Sequence, residues 1–265
     1  RFMPVILWFI FFLKIDLKKN IIPFITFFSL YFITIYLSGG RTSFFLSVVI
    51  ILGLFIIIKD LRRILSYSII ILIFFIFITS YFKIGNANTF NRIFVKTYNQ
   101  ISKTEININK SDTKIKKKLK KTNIYSKDHE GHILLALYLF EKNKIFGIGP
   151  QGFKDYCRKV KYAPKIGICS THPHNILIQI ILELGLIGLV FYIVAAVFVL
   201  FNFFKSIVRH KFNHDYLAFY SITLGLIINL FPFIPGGNFF NNWISIILYY
   251  NIGLYLYSYK KCILK

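Results

Sequence analysis

Apolar residues come in long unbroken runs along this chain, at 4–13, 21–37, 44–58, 64–82, 175–204, 216–234 and 243–259. They neither alternate with period two nor keep to one face of a 3.6-residue period, so each run expects apolar surroundings on all sides. Inside a bilayer every backbone N–H and C=O must be bonded within its own segment or within a closed barrel. Barrel strands would be segments of about ten residues with alternating character, which these are not. Helices remain, and the fold class is all-α: a polytopic transmembrane helical bundle. Composition agrees, since 56% of the 265 residues are hydrophobic and 31 are Phe. The run at 4–13 is short for a span, which needs about 20 residues. The chain is therefore expected to start inside a helix and to be the C-terminal portion of a longer protein. The run from Asn175 is longer than one span requires, so its first turns should project from the membrane.

Charge divides the connections into two sets. Lys14, Lys18 and Lys19 lie in one, Lys59, Arg62 and Arg63 in another, Lys205, Arg209 and Lys211 in a third, and Lys260, Lys261 and Lys265 end the chain. The alternating connections, 38–43 and 235–242, carry one charge between them, Arg41. The positive-inside rule puts the basic set and the C-terminus in the cytoplasm. The organisation expected is transmembrane helices over 1–82, a large extracytoplasmic loop with short helices over 83–173, and transmembrane helices over 174–265. The loop holds nineteen Lys/Arg and six Asp/Glu, which is compatible with an outer location because loops beyond about 60 residues cross largely regardless of charge.

Within that loop, 86–127 is rich in Lys, Asn, Ser and Thr and includes a lysine run at 114–121. It reads either as a solvated tether or as an attractor for anionic headgroups or glycan. Residues 132–142 read as a helix. Gly147, Gly149 and Gly152 then match the spacing GxGxxG, but a dinucleotide site needs a strand before it and a βαβ unit around it. Here a helix precedes, so the glycines read as a tight turn where backbone approaches something closely.

Chemistry concentrates after that turn. His172 and His174 flank Pro173 where a polar loop meets an apolar helix that Asn175 can cap. Cys157 and Cys169 read either as an outer-face disulfide or, with the two histidines, as a zinc set. Glu183 is acidic and deep in an apolar run, a costly position that is usually functional or paired; the alternative is a helix-packing partner in a polar crevice. Arg41 reads as a phosphate contact or as an interfacial residue that snorkels.

His174-Asn175, nine residues, then Gly185-x-x-Gly188 resembles the outer-loop signature of the bacterial O-antigen ligase and polymerase superfamily. The segment from Phe146 to Phe153 resembles the stretch that this family places before the signature, and 38–43 resembles a short outer loop carrying a functional Arg. The resemblance covers roughly 36–189. The chain departs from the pattern in having His132 where members often have Arg, and Leu and Val after Gly188.

The resemblance implies an enzyme of the bacterial inner membrane, in lipopolysaccharide biosynthesis. It would move a glycan from an undecaprenyl-diphosphate carrier to a sugar hydroxyl, such as that of lipid A-core, at the outer face. It implies His174 as catalytic base with His172 beside it, and Arg41, His132 and Asn175 toward the diphosphate. Position adds Lys154 and Arg158, which follow the glycine turn and precede the histidines, with Glu183 as a supporting residue. Chemistry agrees: a leaving diphosphate needs cations, and a hydroxyl nucleophile needs a base with a pKa near 7. Direct displacement would invert the anomeric centre and needs no metal or cofactor if Arg and Lys hold the phosphates. The alternatives are a polymerase of the same superfamily or a lipid-linked sugar transporter. Transporters gather polar groups near the midplane, whereas here they gather at the outer interface. Nothing points to nucleic acid.

Overall fold

A computed structural model describes residues 2–82, 88–102, 127–159, 169–210, 216–232 and 236–264. Regular structure among these residues is helical throughout. The order is α1 (Met3–Phe12), α2 (Ile21–Leu37), α3 (Arg41–Ile57), α4 (Leu61–Tyr81), α5 (Asn88–Phe90), a π-helical turn at Asn91–Val95, α6 (Lys96–Ser102), α7 (Lys127–Lys142), α8 (Phe153–Lys159), α9 (Ile176–His210), α10 (Leu217–Asn229) and α11 (Asn242–Cys262). Every apolar run contains a helix. The loop helix begins at Lys127, earlier than the apolar pattern from His132 suggests, because its first turn is polar. The lysine run at 114–121 lies outside the described residues.

α10 is the packing centre. It lies against α1, α3, α9 and α11, and Phe219, Tyr220, Ile222, Leu226 and Ile228 are all buried. Close approach needs small residues, as in helix pairs that gain nothing from excluding water. A Cβ on Gly225 would come 2.5 Å from Asn251 Oδ1 on α11 and 2.8 Å from Pro4 Cβ on α1. Polar groups within the apolar helices bond their own backbone one turn back: Ser221, Thr223, Asn229 and Asn251 each reach the carbonyl four residues earlier. This gives each a hydrogen bond without a partner helix, although the amide oxygens of Asn229 and Asn251 stay buried without one among the described residues.

Two helices, α4 and α9, are long and apolar enough to cross a membrane, while α1, α2, α3 and α10 are shorter apolar helices. Phe74 and Phe77 on α4, and Phe191, Val194, Val197 and Phe201 on α9, are exposed. The core helix of a soluble protein would cover such side chains, and a contiguous exposed apolar face marks a surface with a non-aqueous neighbour. These helices support a membrane protein.

Contacts gather the basic connections at one end. Lys18 pairs with Asp60 at 3.6 Å. Lys261 sits over the Phe12 ring, Tyr216 donates to the Cys262 carbonyl, and His210 stacks on Tyr216. The connections 38–40 and 236–241 join the opposite termini of these helices, α2 to α3 and α10 to α11. Beside the first, a Cβ on Gly39 would meet Arg92 at 3.7 Å, and Phe44 meets Phe94 edge-on.

α9 is broken near its start. Gly185 has φ 69° and ψ −162°, which only glycine adopts freely. The arm before the break packs on α7 and α8, where Leu182, Leu135, Ala136, Leu139, Phe153 and Cys157 form a small core of their own. The turn at 144–149 repairs the break. Ile148 N and Gly149 N donate to the carbonyls of Leu182 and Glu183, and Leu186 N and Ile187 N donate to those of Lys144 and Ile145. Both glycine motifs are thus parts of one device: the turn supplies the backbone partners that the broken helix lacks.

Candidate active site

The arm of α9 before Gly185 begins at a cap. Asn175 Oδ1 accepts from Ile178 N at 3.0 Å, and its Nδ2 donates to the Pro232 carbonyl at 2.8 Å. Asn175 therefore caps and tethers, as its sequence position suggests. Just before it, His174 has φ 58°. A non-glycine residue there costs about 1–3 kcal/mol and persists where surroundings impose it. The imposing contact is Gly236 N donating to the His174 carbonyl at 2.8 Å.

Four imidazoles meet at this point. The His172 and His174 ring centroids are 4.0 Å apart. From α7, His129 and His132 come within 5.0 and 5.2 Å of His174. Ser170 Oγ lies 3.0 Å from His174 Nε2. Thr171 Oγ1 lies 2.9 Å from His172 Nδ1, and the Gly236 carbonyl 3.3 Å from His172 Nε2. With Gly236 accepting at Nε2, His172 is fixed as the Nε2–H tautomer, and its Nδ1 accepts from Thr171.

Burial holds the His174 pKa down to about 4, with repulsion from His172, His129 and His132 adding to it. His172 is lowered as well, again chiefly by burial, against the opposing bond to Gly236. The sequence-based expectation of a base near pH 7 is corrected here. At neutral pH His174 is uncharged and able to accept a proton, but its basicity is weakened by the company it keeps. A polyanion placed among these rings would favour the protonated form and reverse that shift.

Behind the histidines lies a closed hydrogen-bonded ring. Glu183 Oε2 accepts from Gln151 N at 2.8 Å and from Gln179 Nε2 at 3.2 Å. Gln179 Nε2 also donates to Asn238 Oδ1 at 2.7 Å, and its Oε1 accepts from Phe239 N at 2.9 Å. Asn238 Oδ1 accepts from Phe240 N, and Gln151 Nε2 returns to the Phe240 carbonyl at 3.1 Å. Glu183 is thus wholly buried and bonded through Oε2, while its Oε1 is buried without a hydrogen bond among the described residues. A carboxyl in an apolar helix held by one oxygen marks a functional or packing position rather than a neutral one.

Cys157 and Cys169 are joined in a disulfide with Cα atoms 5.7 Å apart. That joins α8 to the histidine segment and removes both sulfurs as thiolate ligands. No group of three or more His, Cys, Asp or Glu among the described residues is arranged to hold a metal ion. Lys154 and Arg158 are exposed on α8, whose inner face buries Phe153 and Cys157. Arg41 opens α3 and is half-buried.

Sequence reasoning placed His172, His174, Asn175 and His132 in one neighbourhood but passed over His129, Gln179 and the 236–241 connection. The spacing of His129 and His132, three apart on one helix, was the available signal for the first. Gln179 lies one turn before Glu183 on the same face. Nothing local flags Gly236 and Asn238, because their role is to approach α9 from another part of the chain.

A family model described as O-antigen ligase matches residues 24–193, which contain most of α2, all of α3 to α8 and the first half of α9. No curated protein and no solved structure matches the chain.

Proposed function

The chain belongs to the O-antigen ligase family, and from that premise we propose that it transfers a glycan from an undecaprenyl-diphosphate carrier to a sugar hydroxyl at the outer face of a bacterial inner membrane. Membership implies glycan transfer from a lipid-linked substrate in general; the donor, the face and the direct displacement are our reading. The end bearing the histidines would lie outside and the basic end in the cytoplasm, with 83–173 as the outer loop between helices 1–82 and 174–265.

In this reading His174 accepts the proton of the acceptor hydroxyl as its oxygen attacks the anomeric carbon. The bond from that carbon to the diphosphate breaks, and the diphosphate departs on its carrier with inversion at the anomeric centre. His172 orients His174 and faces the phosphates. His132 and His129 approach from α7, while Arg41, Lys154 and Arg158 supply permanent positive charge to the departing diphosphate. Asn175 and Glu183 hold the arm of α9 in place.

The observation that carries the reading is the position of His174. It lies in the His-Asn-x9-Gly-x-x-Gly segment inside the matched region, in a left-handed conformation, at the centre of four imidazoles. His174→Ala should lower transfer by roughly 10²–10⁴, the usual contribution of a general base, while the protein still inserts in membranes. Normal transfer by that variant would eliminate His174 as the base. The product separates the two activities of the superfamily: glycan joined once to a lipid A-core acceptor indicates a ligase, and a lengthened glycan still on the carrier indicates a polymerase.

A further inference from the structure

Gln179 is fully buried and makes three side-chain hydrogen bonds, to Glu183, Asn238 and Phe239. A buried amide is costly unless satisfied, and an apolar residue would serve the packing of an arm lined by Leu182 and Ile180 equally well. The bonds go to two different parts of the chain. One is the next turn of α9; the other is the connection 236–241. Two residues before Asn238, Gly236 bonds the His172 ring through its carbonyl and the His174 backbone through its amide. Gln179 thus reaches both histidines through a single short segment that its own side chain clamps.

We infer that Gln179 is a positioning residue for the histidine pair, fixing the 236–241 segment so that Gly236 sets the His172 tautomer and holds His174 in its strained conformation. The inference rests on the glycan-transfer reading for its effect on rate, but its geometric content stands apart from that reading. Glu183 is the anchor of the clamp and Gln151, itself at φ 61°, closes the ring from the glycine turn. Two non-glycine residues with left-handed backbone, Gln151 and His174, are therefore held by one hydrogen-bonded system. The titratable groups facing His174 are His172 beside it and His129 and His132 from α7. Releasing the 236–241 segment would admit water to this cluster and relieve the burial that dominates its titration.

The test compares the wild-type protein with Gln179→Leu in nanodiscs, following transfer against pH. A misplacement of about 1 Å at a reacting group costs on the order of 100-fold in rate, so kcat should fall by about that factor. Donor KM should stay within about threefold, since the substrate contacts themselves are untouched. The acid limb of the pH profile should move upward, toward the ordinary histidine value. Asn238→Ala, which removes the far partner of the clamp together with the bond from Phe240 N, should shift the limb in the same direction and serves if Gln179→Leu does not fold. A folded Gln179→Leu protein with wild-type kcat and pH profile overturns the inference. Carbethoxylation of His174 by diethyl pyrocarbonate provides a readout independent of activity. It should be several-fold faster in Gln179→Leu, and an unchanged rate refutes the clamp. If the wild type transfers no glycan, the proposed function falls while this labelling still decides the role of Gln179.

Discussion

Gly147 and Gly185 meet backbone to backbone: a Cβ built on either would lie 2.6 Å from the amide nitrogen of the other. Both have left-handed φ, 71° and 69°. The loop turn and the broken helix can therefore exchange hydrogen bonds only because neither carries a side chain at the crossing.

Alanine at either position should be strongly destabilising. The left-handed conformation alone costs an L-residue about 1–2 kcal/mol. The atoms in the way are backbone, which cannot swing aside, so the total should exceed about 3 kcal/mol. Gly149 is an internal control, with φ 88° but nothing within 4 Å of an added Cβ. Gly149→Ala should show the conformational cost alone. Thermal unfolding in detergent measures all three, and a Tm for Gly185→Ala as high as that for Gly149→Ala would refute the account.

Acid should loosen the histidine cluster. The folded pKa of His174 is about 4 and that of His172 is also below the ordinary value of 6.5, burial leading in both. Between those limits the unfolded chain binds more protons than the folded one, so stability rises with pH in that window. It is fully present above about 6.5 and is lost progressively as pH falls toward 4. Thermal unfolding at pH 5 and pH 7.5 should show a drop in Tm at the lower pH. Replacing His129 and His132 by Gln removes two of the repelling rings and should shrink that drop. An equal drop in the double variant would show that their repulsion contributes little.

Much of this was legible in the sequence, for physical reasons. Apolar runs place helices wherever a segment must satisfy its own backbone, and each of the seven runs has one. The boundaries moved where polar turns extend a helix, at Lys127, or where it ends early, at Asn229. The break at Gly185 could be suspected from Gly185-x-x-Gly188, yet not its repair, because the carbonyls of Lys144 and Ile145 come from another segment. His172, His174 and Asn175 stood out because they are polar at the edge of an apolar run. Gln179 did not, since one amide in a helix has no periodic signature, and its importance comes from Asn238 and Phe239 some sixty residues away.

The disulfide can be tested without any assay of transfer. Cys157 and Cys169 are twelve residues apart, and Cys262 stands outside that bond. Denatured without reductant, the protein should label once, at Cys262; after reduction all three cysteines should label. Closing a loop of this size contributes about 3 kcal/mol in the chain-entropy account, so Cys157→Ser with Cys169→Ser should lower Tm appreciably. The same bridge bears on chemistry. Cys157 is buried in the small core of α7, α8 and the first arm of α9, and Cys169 is followed directly by Ser170, whose hydroxyl meets His174 Nε2. Cutting the bridge releases Ser170 and His174 from that core, and transfer should fall roughly tenfold through lost orientation. A double serine variant with wild-type Tm and wild-type rate would show that the hydrogen bonds of Gly236 and Asn175 suffice to hold the histidines without the covalent link.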